Sequence, residues 1–377
     1  MGRRGSTLPG WAQWALASGI RGAMTPALAI GPGAALAAAR GLASLYPRFS
    51  PKRFQRAVDN LAHAFPHKTD VDHRALALAS YQHVFQLGVE FAYAPRLISQ
   101  EAFARHLVFT EIGQGLRHML GDKPVLLISG HVGNWELLGY SVSMLGFPMH
   151  AVYRPLDLRP LDDWVRHARG RRGLTLVSKF GAVRALPPVL RRGEPVGLVA
   201  DQSGGDRGIF VPYFGRLTST YKSIGLLAMQ TGATLVCGMA RRLKPGERVP
   251  DNALAAPHPS DGTRAGDTGF SSLRYVVELT DVFGPNDWEG QPDPLYYLTA
   301  RYRRAIETMV RTAPEQFFWM HRIWRSRPAH ERQGKPFPAG LREKIAALPW
   351  MTPEGVAAIE ATSARDASLL AKGHLSV

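Results

Sequence analysis

A histidine and a glutamate follow the apolar stretch 125–128. Ser129 and Gly130 lead to His131, and Glu136 comes five residues later. An imidazole can take a proton from an attacking hydroxyl, and a carboxylate can fix its tautomer and stabilise the imidazolium that forms. On one regular helix, five residues at ~100° each would leave the two side chains about 140° apart. We therefore expect His131 on a turn and Glu136 one turn into a helix, where it can reach back to the imidazole.

The residues between this pair are expected to bind substrate. Gly133 lets a substrate and the backbone approach closely, and Asn134 stands beside it where the helix begins. Exposed amides at a helix start favour an anion, either a developing oxyanion or a phosphate. We predict that Gly133 and Asn134 form part of the binding site.

The elements that must position these residues alternate between strand and helix. Short apolar runs bounded by Gly, Pro or charge predict strands at 125–128, 149–153, 174–177, 196–200, 235–239 and 275–279. Helix-length segments are predicted at 52–65, 71–93, 134–145, 161–172, 182–191, 219–231 and 298–311, with a last helix opening at Thr352. The alternation predicts an α/β fold with a mixed, largely parallel sheet covered by helices. In such sheets, ligands bind beyond the carboxyl ends of the strands.

The chain is strongly basic. Its 377 residues include 46 Lys and Arg against 30 Asp and Glu, a net charge of +16. This excess favours anionic partners, and nucleic acid, phosphorylated lipid and an acidic carrier protein all fit it. Cys237 is the single cysteine, so an intrachain disulfide is excluded. The histidines do not cluster with cysteines or carboxylates at ligand-like spacing, so we predict neither a metal nor a cofactor.

The N-terminal segment bears on membrane association. Residues 8–45 are rich in Ala, Leu, Gly and Trp but are interrupted by Arg21 and Arg40, which argues against a transmembrane span. We predict an interfacial helical segment over residues 1–50, with a cleaved signal peptide as the alternative. The main domain is expected at 51–328, with a surface loop insertion at 244–272 and a C-terminal extension at 329–377.

The string His131-Val132-Gly133-Asn134-Trp135-Glu136 resembles the HX4(D/E) motif of glycerolipid acyltransferases. In its HxGNWE form, it resembles the lipid A biosynthesis lauroyl/myristoyl acyltransferase family. Further similar blocks follow in order at 152–155 (Val-Tyr-Arg-Pro), 197–202 (ending Asp-Gln), 211–216 (Val-Pro-Tyr-Phe-Gly-Arg) and 314–324. Together they cover about residues 10–328. The chain departs from the family pattern at Ile323, where a second arginine is usual, and in its longer 244–272 loop.

This resemblance implies a glycerolipid acyltransferase-like fold and an O-acyltransferase at the cytoplasmic face of the inner membrane. The donor would be an acyl thioester of acyl carrier protein or CoA, and the acceptor a hydroxyl of a lipid A-type glycolipid precursor. In that reaction His131 acts as general base and Glu136 orients it. Arg154 stabilises the thioester oxyanion or binds phosphate, while Asp201 and Gln202 shape the site or position the acceptor. A helix cap or loop hydrogen bond is the alternative role for these last two residues.

Other functions remain open at this stage. An acyltransferase for another glycolipid or for a lysophospholipid would carry the same catalytic residues. A basic membrane-peripheral or nucleic-acid-binding protein without catalysis would explain the charge. Aromatic residues do not interleave with Lys and Arg as in an RNA-binding motif, so we do not expect a nucleic-acid partner.

Overall fold

A mixed sheet runs through the part of the chain that the computed structural model describes, namely residues 8–97, 106–170, 173–244, 247, 253–254 and 273–373. Its strands are β1 Leu107–Thr110, β2 Val125–Ser129, β3 His150–Tyr153, β4 Thr175–Ser178, β5 Val196–Val199, β8 Thr234–Arg242, β9 Ala253–Leu254 and β10 Tyr275–Phe283. They lie in the order β4-β3-β5-β2-β8-β10-β1-β9. Neighbours from β4 to β8 are parallel, and β10 runs antiparallel to β8. The predicted α/β class and largely parallel sheet are confirmed.

Helices cover both faces of this sheet. They are α1 Gly10–Ala29, α2 Pro32–Phe49, α3 Pro51–Ala64, α4 Asp70–Leu97, α5 Gly113–Leu120, α6 Trp135–Met144, α7 Arg159–Gly170, α8 Ala182–Arg191, α9 Lys222–Thr231, α10 Pro294–Thr312, α11 Ala339–Ala346 and α12 Pro353–Ala371. Side chains alternate along β2: Leu126 and Ile128 pack in the core formed with α3, α8, α9 and α10. Leu127 packs on the opposite face with side chains of α5 and α6. One face of the sheet therefore packs against α10, and the other packs against α6, the helix that follows residues 131–134.

A separate hairpin was missed by the sequence analysis. Strands β6 Ile209–Tyr213 and β7 Arg216–Thr220 pair antiparallel through a two-residue turn at Phe214 and Gly215, both with positive φ. This geometry usually selects Asn-Gly or Asp-Gly, and Phe-Gly lacks that signal. The helix predicted from residue 219 is consequently wrong at its start, because Ser219 and Thr220 complete β7 and α9 begins at Lys222.

The predicted loop insertion and the predicted N-terminal helical segment can each be compared with the described residues. Most of the predicted loop insertion 244–272 lies outside the described residues, although Ala253–Leu254 adds an edge strand beside β1. Residues 10–29 and 32–49 are helical and carry exposed Trp11, Trp14 and Phe49. None of the helices in the described ranges combines the length and apolar character that crossing a membrane requires.

The C-terminal extension packs into the main core. Ile345, Leu348, Val356 and Ile359 are buried together with the side chains of α8, α9 and α10. Helix α12 begins at the predicted cap, where the Thr352 hydroxyl accepts a hydrogen bond from the Gly355 amide at 3.1 Å.

Buried ion pairs also tie α12 to the rest of the protein. The Asp366 carboxylate accepts hydrogen bonds from Arg216 of β7 at 2.6 and 2.8 Å and from Arg327 at 2.7 Å. Arg327 also pairs with Glu331 through two bonds of 2.7 and 2.8 Å. Because charged groups out of water need partners, this network holds the last helix against the hairpin.

We predict that Asp366→Ala lowers the free energy of unfolding by about 3–5 kcal/mol, since it leaves two buried guanidinium groups short of a partner. Glu360→Ala is the matched control on the same helix. Its partner Arg342 is more than half exposed, so the expected loss is only ~0–1 kcal/mol. Urea unfolding of the full chain measures both, and equal losses would contradict a structural role for the buried network.

Candidate active site

The strand register brings His131 beside an aspartate from a distant part of the chain. Strands β2 and β5 are parallel neighbours in which Ser129 lies opposite Val199. Two residues further along each strand, His131 and Asp201 therefore meet at the carboxyl edge of the sheet. The distance from His131 Nδ1 to Asp201 Oδ1 is 2.7 Å. The structure thus pairs the predicted base with a residue predicted only to shape the site or position the acceptor.

This hydrogen bond fixes the protonation of the imidazole. An ionised Asp201 only accepts hydrogen bonds, so Nδ1 carries the proton and Nε2 keeps a lone pair in the neutral ring. Burial lowers the pKa of His131, but the charge of Asp201, the hydrogen bond to it and the charge of Glu136 hold that pKa above its ordinary value. Burial acts in the opposite sense on Asp201, yet His131 keeps the pKa of that carboxyl well below normal. The pair therefore favours a protonated imidazole beside a carboxylate.

Glu136 does not make the contact that the sequence analysis predicted. Its carboxylate pairs with the Arg169 guanidinium of α7, which is the stronger attraction because that partner is always charged. Within the described residues, the expected hydrogen bond from the imidazole of His131 to Glu136 is absent, and the imidazole pairs with Asp201 instead. Glu136 still acts on the imidazole at longer range, since its negative charge contributes to the raised pKa of His131.

Backbone hydrogen bonds hold the turn that carries His131. The Phe318 amide donates to the His131 carbonyl at 3.1 Å, and the Gly133 amide donates to the Gln316 carbonyl at 3.0 Å. Val132 and Phe317 form an isolated antiparallel bridge between these two bonds. The turn is therefore bound along its length to the segment that follows α10.

Gly133 and Asn134 are buried and support the turn through contacts within the protein. A Cβ at Gly133, whose φ is +60°, would overlap the carbonyl oxygen of Ala240 in β8. The buried Asn134 side chain accepts from the Leu137 amide at 3.0 Å and donates to Glu90 at 2.8 Å. Both were expected to contact substrate. Close packing of Gly133 and the two side-chain hydrogen bonds of Asn134 instead make these residues part of the scaffold.

A buried polar network of α4 lies beneath the same turn. Glu90 forms an ion pair with Arg242 of β8, and Arg242 also donates to the Gln86 side-chain oxygen at 2.6 Å. The ring of His83 hydrogen-bonds through Nε2 to the Gly133 carbonyl at 3.1 Å. Burial and the nearby Arg242 charge keep the pKa of His83 well below its ordinary value, so its ring is neutral and Nε2 carries the donated proton. These contacts hold the turn in position relative to α4 and β8.

Arg154 lies apart from the His131–Asp201 pair. It follows β3, which is separated from β2 by β5, and its side chain is 67% exposed. Its ion-pair partner is Asp157 at 3.8 Å. The structure therefore does not bring Arg154 into contact with His131.

Two residues that the sequence analysis left out support the site. The buried Arg303 of α10 donates to the Asp201 carbonyl, and its charge helps to hold the pKa of the Asp201 carboxyl down. The His321 ring centroid lies 5.4 Å from that of His131. Burial and repulsion from His131 lower the pKa of His321 to about 4, so it is neutral near pH 7. Gln202 contacts His321 through the two Nε2 atoms at 3.4 Å, beside the His131–Asp201 pair.

Two cavities of different character are lined in part by residues close to the turn along the chain or in contact with it. The arginine cavity, of about 440 Å³, is lined by Arg53, Arg56, Asp201, Gln202, Ser203, Phe318, Met320, His321, Arg322, Ile323 and Arg325. The apolar cavity, of about 50 Å³, lies between α5, α6 and the sheet, and its lining includes Leu116, Met119, Leu127, Ile128 and Leu138. Within the described ranges, no three histidine, cysteine or acidic side chains converge as metal ligands would.

Comparison with known proteins shows the family to which this chain belongs. A family model described as bacterial lipid A biosynthesis acyltransferase matches residues 9–260, about two thirds of the chain. The chain belongs to this family. The resemblance found in the sequence motifs is thereby confirmed, and the protein is an acyltransferase. The segment at 314–324, which supplies Phe318 and His321, lies beyond the matched region.

Curated relatives agree with this assignment. The acyltransferase is 24% identical over 299 residues to the lipid A biosynthesis lauroyltransferase of Escherichia coli K12, covering 76% of this chain and 84% of that protein. It is 26% identical over 219 residues to the lipid A biosynthesis palmitoleoyltransferase of the same organism, covering 57% and 60%. A lipid A biosynthesis acyltransferase of Haemophilus influenzae is 24% identical over 282 residues, covering 73% and 77%.

We predict that Asp201→Asn changes both the rate and the pH profile of the acyltransferase. His131 must be neutral to accept a proton, so kcat/KM of the native enzyme falls as pH drops through a pKa above the ordinary histidine value. Without the carboxylate of Asp201, only the smaller effect of the Glu136 charge opposes burial, so the pKa of His131 falls and this acidic limb moves to lower pH. The plateau falls by roughly 10³–10⁴-fold because the tautomer is no longer fixed.

Asp206→Asn serves as the control, because Asp206 is an exposed residue of the same loop. Its pH–rate profile should match that of the native enzyme. An acidic limb that stays in place in Asp201→Asn would show that Asp201 does not control the imidazole.

Proposed function

We propose that the protein transfers a fatty acyl chain from a thioester donor to a hydroxyl of a lipid A-type glycolipid precursor. The His131–Asp201 pair carries this proposal, because it leaves Nε2 of a partly buried, oriented imidazole available as a base. No protein group in the described ranges hydrogen-bonds to that atom. The names of the relatives support the acceptor class, since each acts in lipid A biosynthesis.

The reaction needs one base that later acts as an acid. The acceptor hydroxyl gives its proton to His131 Nε2 while its oxygen attacks the thioester carbonyl carbon. The tetrahedral intermediate then breaks its carbon–sulfur bond, and the leaving thiolate takes the proton from the imidazolium. Asp201 stabilises the imidazolium between these two steps, which is the role that its charge and its 2.7 Å contact suit.

Direct transfer without a covalent acyl-enzyme fits the surroundings of His131. Within the described residues, no serine, threonine or cysteine hydroxyl or thiol hydrogen-bonds to the imidazole. Cys237 is fully buried in β8, and burial raises the pKa of its thiol well above the ordinary value. A nucleophile of the protein would need both access and activation, and Cys237 has neither.

We propose that the acyl chain enters the apolar cavity beneath α6. Its lining includes Ile128, three residues before His131, and Leu138, two residues after Glu136, so a chain held there would have its carbonyl end toward the base. Leu116 and Met119 of α5 are half-buried at its border. Rotamer changes of these flexible side chains would lengthen the cavity from its resting volume.

Glu136 and Arg154 keep supporting roles in this proposal. Glu136 contributes negative charge near the imidazole and anchors Arg169 between α6 and α7. Among the described residues, the ion-pair partner of Arg154 is the exposed Asp157 at 3.8 Å, so its guanidinium can turn toward a bound thioester oxygen or phosphate.

We place the protein at the cytoplasmic face of the inner membrane. Helices α1 and α2 support this location with exposed apolar side chains, including Trp11 at 76% and Phe49 at 82% exposure. Aromatic side chains of this kind prefer the headgroup region of a bilayer, and the net charge of +16 favours anionic lipid. The same charge suits an acidic acyl carrier protein as donor, with acyl-CoA as the second donor candidate.

Acyl transfer by native protein and by His131→Ala tests this function. Labelled acyl-carrier-protein and acyl-CoA thioesters are offered with a lipid A precursor, another glycolipid or a lysophospholipid as acceptor. Loss of the general base should lower the rate by about 10²–10⁴-fold, while His167→Ala, an exposed residue of α7, should leave it unchanged. Equal transfer by native protein and His131→Ala would refute the catalytic assignment, and preference for a lysophospholipid would refute the acceptor class.

We predict that Leu116→Trp narrows the range of acyl donors. The larger side chain fills the apolar cavity, so long acyl chains should lose kcat/KM by about tenfold or more relative to short ones. Val183→Trp, on an exposed face of α8, adds the same bulk away from the cavity and should leave the preference unchanged. A parallel fall for all chain lengths in Leu116→Trp would mean that the chain binds elsewhere.

A further inference from the structure

The arginine cavity joins two elements that are fixed to each other. Arg53 and Arg56 lie one turn apart on α3, while Arg322 and Arg325 belong to the segment after α10. The side chain of Asn60 on α3 donates to the Trp319 carbonyl at 2.8 Å and to the His321 carbonyl at 2.9 Å. The four guanidinium groups therefore line one preformed recess.

The charge of this recess is not neutralised by the protein. In the described part of the chain, no carboxylate pairs with Arg56, Arg322 or Arg325, and Arg53 has only the Tyr46 hydroxyl at 3.3 Å. Asp201 is the one acidic side chain in the lining, and its carboxylate is engaged by His131. By contrast, the arginines of the structural networks have carboxylate partners, as Arg301 has with Asp281 and Asp287, Arg327 with Glu331 and Asp366, and Arg241 with Glu247 and Glu278.

We propose that this cavity binds a phosphate group carried by the acceptor sugar, and so holds the acceptor hydroxyl near His131. Forked guanidinium donors match phosphate oxygens, and several around one recess favour a dianion. About 440 Å³ is within the range of small-ligand sites and admits a phosphorylated sugar. This inference rests on the proposed function and deepens it by naming what the acceptor must carry.

The position of the cavity favours the acceptor over the donor as the source of phosphate. Its lining includes Asp201, which hydrogen-bonds to the imidazole of His131, and His321, whose ring centroid lies 5.4 Å from that of His131. The apolar cavity that suits the acyl chain of the donor lies on the other face of the sheet, under α5 and α6. A donor bound there approaches His131 from the face opposite the arginines.

Steady-state kinetics of the full chain tests this proposal with two acceptors, a phosphorylated lipid A precursor and the same lipid after phosphatase treatment. The variant Arg56→Gln/Arg322→Gln should raise KM for the phosphorylated acceptor by about 10–100-fold, because two charge-assisted contacts are lost. Its KM for the thioester donor should not change, and the dephosphorylated acceptor should respond to the variant little or not at all. High salt should reduce the difference between the two acceptors in the native enzyme.

Arg332→Gln/Arg365→Gln is the matched control, since it removes two exposed arginines outside the cavity and gives the same net charge. It should behave as the native protein does. Three outcomes would overturn the proposal: a rise in KM for the donor, an equal loss for both acceptors, or no change in the cavity variant.

Binding without turnover separates this proposal from the proposed function. Calorimetry with both acceptors on His131→Ala protein should show phosphate-dependent binding that Arg56→Gln/Arg322→Gln weakens at least tenfold. If the native protein transfers no acyl group to any acceptor, the proposed function fails, yet this measurement still decides whether the cavity recognises phosphate. Equal binding of the two acceptors would refute the cavity assignment alone.

Discussion

The parallel pairing of β2 with β5 is the constraint on which the site depends. Because Ser129 lies opposite Val199, the residues two positions further on must meet at one edge of the sheet. That register turns His131 and Asp201, 70 residues apart, into a hydrogen-bonded pair. A shift of one residue would send the two side chains to opposite faces, so the chemistry depends directly on strand register.

The rest of the turn is buried, so its polar groups also need hydrogen-bond partners within the protein. Polar groups removed from water must find partners inside the protein, and here the partners come from three elements: β8, α4 and the segment after α10. The glycine, the asparagine and the buried Glu90–Arg242 pair all satisfy this requirement. Residues that look like substrate contacts in the sequence thereby become the scaffold that keeps the imidazole in one orientation.

The two faces of the sheet give the site its chemical asymmetry. Below α6 the lining is apolar, whereas the side of α3 presents guanidinium groups that have no carboxylate partner among the described residues. A lipid tail and a charged headgroup cannot share one environment at low free energy, so separate recesses suit two substrates that differ this much. His131 lies at the strand end between them.

The C-terminal helices stabilise the α10 side of the core through buried apolar contacts and the ion pairs of Asp366.

The sequence by itself determined the α/β class, the main strands and helices and the family, and it singled out His131 as the proposed base, because hydrophobic periodicity and motif spacing are local properties. It indicated Asp201 and Gln202 at a strand end but could not pair Asp201 with His131, since strand order and register arise from contacts between distant residues. Proximity along the chain favoured Glu136, whereas the fold gave Glu136 a permanently charged partner, Arg169, and brought Asp201 to the imidazole. The Phe214–Gly215 turn, the arginine cavity and the burial of the C-terminal helices likewise depend on packing between separate segments, which only the tertiary structure decides.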